Sequence, residues 1–410
     1  GRTYAMLARE SEVAVLAVAR TKWTTWTTWT TWTTWTKWTR WTGWTGIAGY
    51  RTAWRDAAIA WAAQHAIIAA LVVLVQAWLL GFSHRAVSLR TFLYPFAIYD
   101  SEWYLRIARS GYAILPSGAF FPLYPALIRL LGGSLAAELA LSNLFGLLAF
   151  GLMRILIERE ADVPTARRAL VYLALFPTAM FFMAGYTESL FLTFALLTFL
   201  ALRSRRWALA ATAALLATLT RSPGVLLLIP IAIEGWRALR WRAAWVALPS
   251  VVGLAAWEIG LSLHYRIVNA QSAAMNYHYW GRRLDWPWYG LLSDLRALGH
   301  TSVTAQFQSV RDLIFAVSWV ALAALMWRRL PRAYTLFAWA GAALALLMPL
   351  HFEAGFELFS VPRYMLVCFP IYWLLARWGK RGRAHLAIVC GLLLLSVVLA
   401  VAFALGAAIT

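Results

Sequence analysis

The chain has 410 residues, of which 62% are hydrophobic and only 13% charged, with a mean hydropathy of +0.65. That balance excludes a soluble globular protein and points to an all-α polytopic membrane protein. The 37 Lys and Arg residues against 17 Asp and Glu give a formal net charge of +20. The basic residues fall in short clusters between apolar runs, a pattern of membrane topology rather than of a nucleic-acid-binding face. The two cysteines, Cys368 and Cys390, lie inside apolar segments, so no disulfide framework is indicated and both are read as small buried hydrophobes.

Residues 21–46 repeat Trp-Thr-Thr almost without interruption. Tryptophan on a period of three matches neither an amphipathic helix nor a strand, so residues 1–50 are read as low complexity, disordered or foreign to the native protein. An interfacial Trp-rich anchor is the rival reading. From residue 51 to residue 410 a single transmembrane domain is expected. Apolar runs at roughly 57–80, 133–157, 166–184, 188–203, 207–220, 223–236, 243–262, 311–327, 333–350, 364–377 and 384–408 predict about eleven helices.

Five basic clusters fall in alternate short connections: Arg154 to Arg168, Arg203 to Arg206, Arg237 to Arg242, Arg328 to Arg332 and Arg377 to Arg383. The positive-inside rule puts all five in the cytoplasm, and with them the N-terminus. The first loop (81–132), the second long loop (263–310), the turns at Glu188 and Arg221, and the segment from His351 to Arg363 are then extracytoplasmic. Neither long loop has room for a nucleotide-binding domain, and neither carries G-x-G-x-x-G after a strand.

Residues 99–125, YDSEWYLRIARSGYAILPSGAFFPLYP, carry most of the chemistry. Asp100 and Ser101 stand where an N-cap is expected and Gly111 where a short helix would end. On that helix Trp103, Tyr104, Ile107, Ala108 and Gly111 share one stripe, with Arg106, Arg109 and Ser110 elsewhere on its circumference. Such a helix suits the headgroup layer, and the two prolines of AFFPLYP predict a rigid turn after it. Asp100 and Glu102 would lie about 200° apart on the helix, which argues against a paired dyad. Asp100 is a candidate general base as well as a cap, and Glu102 a candidate dipole-compensating acid.

Glu188 follows Gly185-Tyr186-Thr187, where a carboxylate at a span boundary needs a partner or a task; a cap by Thr187 with Glu188 in the first turn is the plainer reading. Arg221 and Arg363 are arginines set against span ends, each suited to grip a phosphate or to snorkel toward lipid headgroups. In the second loop His264, His278 and Asp285 lack metal-ligand spacing. Its Tyr277, Tyr279, Trp280, Arg282, Arg283 and Trp286 read equally as a sugar or lipid site and as an interfacial aromatic belt. His351, Glu353 and Glu357 are similarly ambiguous.

In order along the chain, YDSEWYLRIARSGY…AFFPLYP, LALFPTAMFFMAGYTESLF, ATLTRSPGVLLLIP and, more weakly, SVPRYMLVCFPIYWLLA resemble the segments of phosphatidylinositol-glycan class V (PIG-V) type mannosyltransferases. These segments span roughly residues 57–376. The opening departs from the usual Trp-Asp by having Tyr99 before Asp100. The resemblance implies a GT-C type glycosyltransferase of the kind seen in glycolipid-anchor synthesis: many helices, short helices in the first outer loop, an extracytoplasmic site, and a polyprenyl-phosphate-linked sugar, mannose first, as donor. It matches Asp100 to the acidic residue of the first loop. Arg221, Arg363, Glu188, Glu102, Tyr104 and Tyr124 are the accompanying candidates for binding donor and phosphate.

On this reading Asp100 is the general base on an acceptor hydroxyl that displaces lipid phosphate with inversion, Arg221 or Arg363 bears the phosphate charge, and Glu188 orients an arginine or the sugar. The acceptor is a glycolipid, a glycan or a protein. No cofactor is assigned, and the need for a divalent metal stays open. The high arginine and alanine content suits a bacterial inner membrane. The rival from another class is a polytopic transporter or lipid flippase, and a scaffold without activity is the third reading.

Overall fold

Three of the longer helices start on small polar residues placed just ahead of apolar runs. Ser134 accepts a bond from the Ala137 amide at 3.1 Å, Asp162 from that of Thr165 at 2.7 Å, and Ser302 from that of Ala305 at 3.3 Å. A computed structural model of the chain describes residues 50–81, 88–276, 280–299, 301–351 and 356–406. The reading of the Trp-Thr repeat, and those of Tyr277, His278, Tyr279 and Glu353, lie outside the described residues.

The order begins with α1 (Arg51–Gly81), α2 (Leu89–Leu93), α3 (Asp100–Ser110), α4 (Leu123–Leu130) and α5 (Leu135–Glu160). It continues with α6 (Val163–Ala174), α7 (Glu188–Arg203), α8 (Trp207–Thr218), α9 (Leu228–Leu239) and α10 (Ala244–Tyr265). Then come α11 (Ala270–Met275), α12 (Tyr289–Ala297), α13 (Val303–Met326), α14 (Arg332–Leu347), α15 (Val361–Leu366), α16 (Pro370–Trp378) and α17 (Gly382–Ala404). The described residues are all-α, and one isolated antiparallel bridge joins Arg282 to Leu350.

Among the described residues five segments are long and apolar enough to cross a membrane: Arg51–Gly81, Leu135–Glu160, Ser222–Tyr265, Val303–Met326 and Gly382–Ala404. The other expected spans form shorter or broken helices, and proline accounts for several breaks. The run 166–184 is helical only to Ala174, ahead of Pro177, and then turns through a 3-10 segment, Ala179–Phe182. The run 364–377 divides into α15 and α16 ahead of Pro370. Proline cannot donate the helical hydrogen bond and biases the residue before it away from α. The Ser222–Tyr265 stretch opens as a 3-10 turn with Pro223 in its first turn, and it is interrupted at Arg240, where φ is +58°.

Helix α5 is the central post, packed on α1, α6 and α7, while α7 packs on α8 and α8 on α10. Phe150, Met153 and Leu156 of α5 and Phe191 and Leu196 of α7 are buried, with Ala210 and Ala214 of α8 letting that helix approach closely.

Contacts among the basic clusters tie them together at one end of this bundle. Arg154, near the C-terminal end of α5, shares Asp56 with Arg167. Arg203, at the end of α7, reaches Glu160 and Glu234, and Glu234 also meets Arg237. Arg168 donates to the Ala376 carbonyl, Arg377 to that of Arg329, and Lys380 faces Asp162. The opposite ends of α5, α7 and α8 carry Glu138, Glu188 and, just beyond the last turn, Arg221.

Candidate functional site

At that opposite end, α3 begins on a strained residue. Tyr99 has φ +59°, uncommon for a side chain with a Cβ, and its hydroxyl is fastened to the Gly406 carbonyl at 2.8 Å. This turn makes Asp100 the first helical residue, so the expected N-cap role of Asp100 and Ser101 is corrected: no side chain caps this helix. Ser101 donates instead to Glu138 Oε2 at 2.9 Å, and Asp100 turns toward Arg363. Gly111 does end the helix, at φ +70°, and Tyr104, Ile107 and Ala108 are its buried face, as the spacing predicts.

Four of the candidate residues form one chain of ions. Arg363 Nη1 lies 2.8 Å from Asp100 Oδ2, and its Nε lies 2.6 Å from Glu188 Oε1. Arg221 Nη1 pairs with the same Glu188 oxygen. Glu188 is fully buried, the two arginines nearly so, and Asp100 is the most open of the four, with its side chain 16% exposed. The Arg363 guanidinium also lies over the rings of Phe181 and Tyr186, 5.1 and 4.7 Å from their centroids. Thr187 occupies the cap position of α7 without bonding as a cap; its hydroxyl is instead 3.3 Å from that of Tyr104 and 3.4 Å from Arg221. Glycine is needed just upstream, because a Cβ at Gly185 would stand 2.5 Å from the Glu138 carboxyl carbon and 2.6 Å from Ser101 Oγ.

The ion chain forms one wall of a cavity of about 280 Å³. Asp100, Arg221 and Arg363 line it together with Arg282, Ser222, Ser360 and Tyr364. The other wall is aromatic: Tyr104, Phe120, Phe121 and Trp280. Its rings are locked edge to face, Tyr104 to Phe120 at 5.0 Å and Phe120 to Trp280 at 5.1 Å, and the Trp280 indole donates to the Pro116 carbonyl at 3.0 Å. Burial pushes the Tyr104 hydroxyl well above the usual tyrosine range, so it serves as a neutral donor or acceptor. A hollow of about 490 Å³ elsewhere is lined by Trp327, Arg328 and Arg329 among apolar residues. It belongs to the basic end and includes no carboxylate.

Two candidates stand apart from the cavity. Glu102 points away from it on the exposed side of α3, because a residue two places after Asp100 lies on the far side of a helix. Tyr124 is buried behind Tyr104, with ring centroids 5.0 Å apart, and donates to the Glu138 carbonyl at 3.0 Å. It supports the site without lining it. Trp280 and Arg282, two of the second-loop residues read as a sugar or lipid site or an aromatic belt, do line the cavity, whereas Tyr364, Ser360 and Glu138 are not among the candidates from sequence. Arg282 stood among many aromatic and charged residues of the second loop, while Glu138 gave one signal, an acid in the first turn of an apolar span.

In the second loop His264 bonds the Tyr112 carbonyl at 2.8 Å, whereas Asp285 faces His351 at 3.5 Å. Among the described residues no group of three or more His, Cys, Asp or Glu side chains could hold a metal ion. No protein-family model, no curated protein and no solved structure matches this chain.

Proposed function

We propose that this protein is an inverting membrane glycosyltransferase of the GT-C type, related to the PIG-V mannosyltransferases, that moves a sugar from a polyprenyl-phosphate donor to an acceptor hydroxyl. The observation that carries this reading is the meeting of Asp100, Glu188, Arg221 and Arg363 at the wall of one cavity, at the end of the bundle away from the basic clusters. Taking the basic end as cytoplasmic by the positive-inside rule, the cavity opens on the extracytoplasmic side, where nucleotide sugars are absent and a lipid-linked donor is required.

In this scheme Asp100, the most open member of the ion chain, takes the proton of the acceptor hydroxyl. The acceptor oxygen bonds to the anomeric carbon as the carbon–oxygen bond to phosphate breaks, and the lipid phosphate leaves with the electron pair. The arginines of the cavity receive its negative charge. Glu188 holds Arg221 and Arg363 in place, and the aromatic wall stacks on the sugar. A transporter would need its charges near the middle of the spans, whereas here Asp100 and Glu188 are first residues of their helices.

The test is transfer of radiolabelled mannose from polyprenyl-phosphate-mannose by membranes containing the chain, beside membranes containing Asp100→Asn. Label in a new product with the native chain alone supports the reading. Absence of transfer from mannosyl and other lipid-linked sugar donors, with folded protein, removes it.

A further inference from the structure

Among the described residues that line the cavity or pair with its lining, the charges do not cancel. Asp100 and Glu188 are two carboxylates, and Arg221 and Arg363 are the two cations joined to them. Arg282 is a third cation on the same wall, and no carboxylate lies within ion-pair distance of it among the described residues. Among the described residues its guanidinium is held by neutral acceptors: Nη1 donates to the Met348 carbonyl at 2.9 Å and Nη2 to Ser360 Oγ at 2.6 Å. The ring of Tyr364 lies 5.9 Å from it and 5.3 Å from the guanidinium of Arg221.

The backbone of Arg282 is fixed as well. Its amide donates to the Met275 carbonyl at 2.9 Å, it bridges to Leu350, and the Gly281 carbonyl accepts from the His351 amide at 2.9 Å. Its own loop and the stretch that carries Met348, Leu350, His351 and Ser360 therefore hold one half-buried positive charge against a cavity. Of the five N–H donors of a guanidinium, the described residues engage two. A fixed, weakly hydrated fork with donors to spare is suited to a phosphate oxygen pair.

We infer that Arg282 is the anchor for a phosphate ester in this cavity, and that the lipid-linked phosphate of the donor docks on Arg282 before it reaches Arg221 and Arg363. This assignment rests on the glycosyltransferase reading for the identity of the ligand. Arg221 and Arg363 already have carboxylate partners; Arg282 supplies the net charge that draws the anion in.

Binding separates the two claims. The full chain in lipid nanodiscs is titrated with undecaprenyl phosphate, with undecaprenol and with inorganic phosphate, using native, R282Q, R282K and D100N proteins. The expected result is that R282Q weakens undecaprenyl phosphate binding about tenfold or more, D100N does not weaken it, and undecaprenol binding is the same in native and R282Q proteins. R282K, which keeps the charge but loses the fork, falls between them and carries the test if R282Q melts early. Inorganic phosphate competing as strongly as the lipid would assign the same anchor to a free anion. Undecaprenyl phosphate binding equally to native and R282Q proteins overturns the assignment. A native chain that binds at Arg282 but transfers no sugar leaves the anchor standing and removes the enzyme.

Discussion

Arg363 and Asp100 lie 263 positions apart in the chain, yet the Arg363 guanidinium meets the Asp100 carboxylate at 2.8 Å and points its Nε at Glu188. One arginine thus orients the proposed base and ties it to the buried acid behind it. Asp100→Asn keeps the size and position of the side chain but cannot take a proton. Transfer is expected to fall at least about a hundredfold, while the variant melts as a folded protein. Transfer near the native rate would take Asp100 out of the mechanism.

Glu188 has a structural debt that Asp100 does not. Its Oε1 holds two arginines, and Oε2 has no hydrogen-bond partner. Glu188→Gln leaves Arg221 and Arg363 buried with Asp100 as their only acid, and breaking a buried pair in this way costs about 3–5 kcal/mol. The double variant E188Q/R221Q removes one stranded cation and is expected to melt above E188Q alone. Thermal melting of both proteins in the same detergent checks the ordering.

Gly185→Ala tests the support around Asp100 rather than the ions themselves. The added methyl meets the Glu138 carboxyl and Ser101 Oγ well inside contact distance, and Ser101 is the neighbour of Asp100. The backbone there is also fixed, since the Gly185 amide donates to the Phe96 carbonyl at 2.9 Å. The substitution is expected to cost about 1–3 kcal/mol and to lower transfer. Melting and transfer unchanged from native would show that the two segments can part freely.

A pH dependence of stability follows from Asp294 on α12. The residue is fully buried. Burial first, and then the facing Glu357 carboxylate and Asp312, push it from 3.8 up to about 9. Two carboxyl groups that face each other are reconciled by a proton on one of them, so folded Asp294 keeps its proton where the unfolded chain has lost it. The contribution of Asp294 to stability is therefore full below about pH 4 and declines as pH rises toward 9. Asp294→Asn, which carries a donor without titrating, should raise the melting temperature at pH 8 and flatten its fall between pH 5 and 8. A native-like slope in the variant would assign that slope to another group.

Much of α3 was legible, because the stripe of Tyr104, Ile107 and Ala108 and the glycine that ends it are local features. Asp100, Glu188, Arg221 and Arg363 were also legible one at a time, since a charge beside an apolar span is costly and few such charges exist. That they join in one chain was not legible, because nothing in spacing links residues from four distant segments. Arg282 was named only within its loop, for the opposite reason: that loop is crowded with rings and charges, and the significance of Arg282 lies in having no acid beside it among the described residues. Helix bounds were less legible than the apolar runs, because Pro177 and Pro370 divide two of those runs into shorter helices. Glu102 stands on the exposed side of α3, as its 200° offset from Asp100 predicts, which suits a dipole-compensating acid and leaves it outside the cavity.

The ion chain also imposes an order on biosynthesis. Glu188 gains Arg221 only 33 residues later, within a helical hairpin that can form as soon as both arms leave the ribosome. Arg363 comes 175 residues after Glu188, about 10–35 s of translation at ordinary rates. Through that interval the loop that carries Asp100 waits without Arg363, and a nascent chain stopped short of residue 363 would hold the aromatic wall without its arginine clasp.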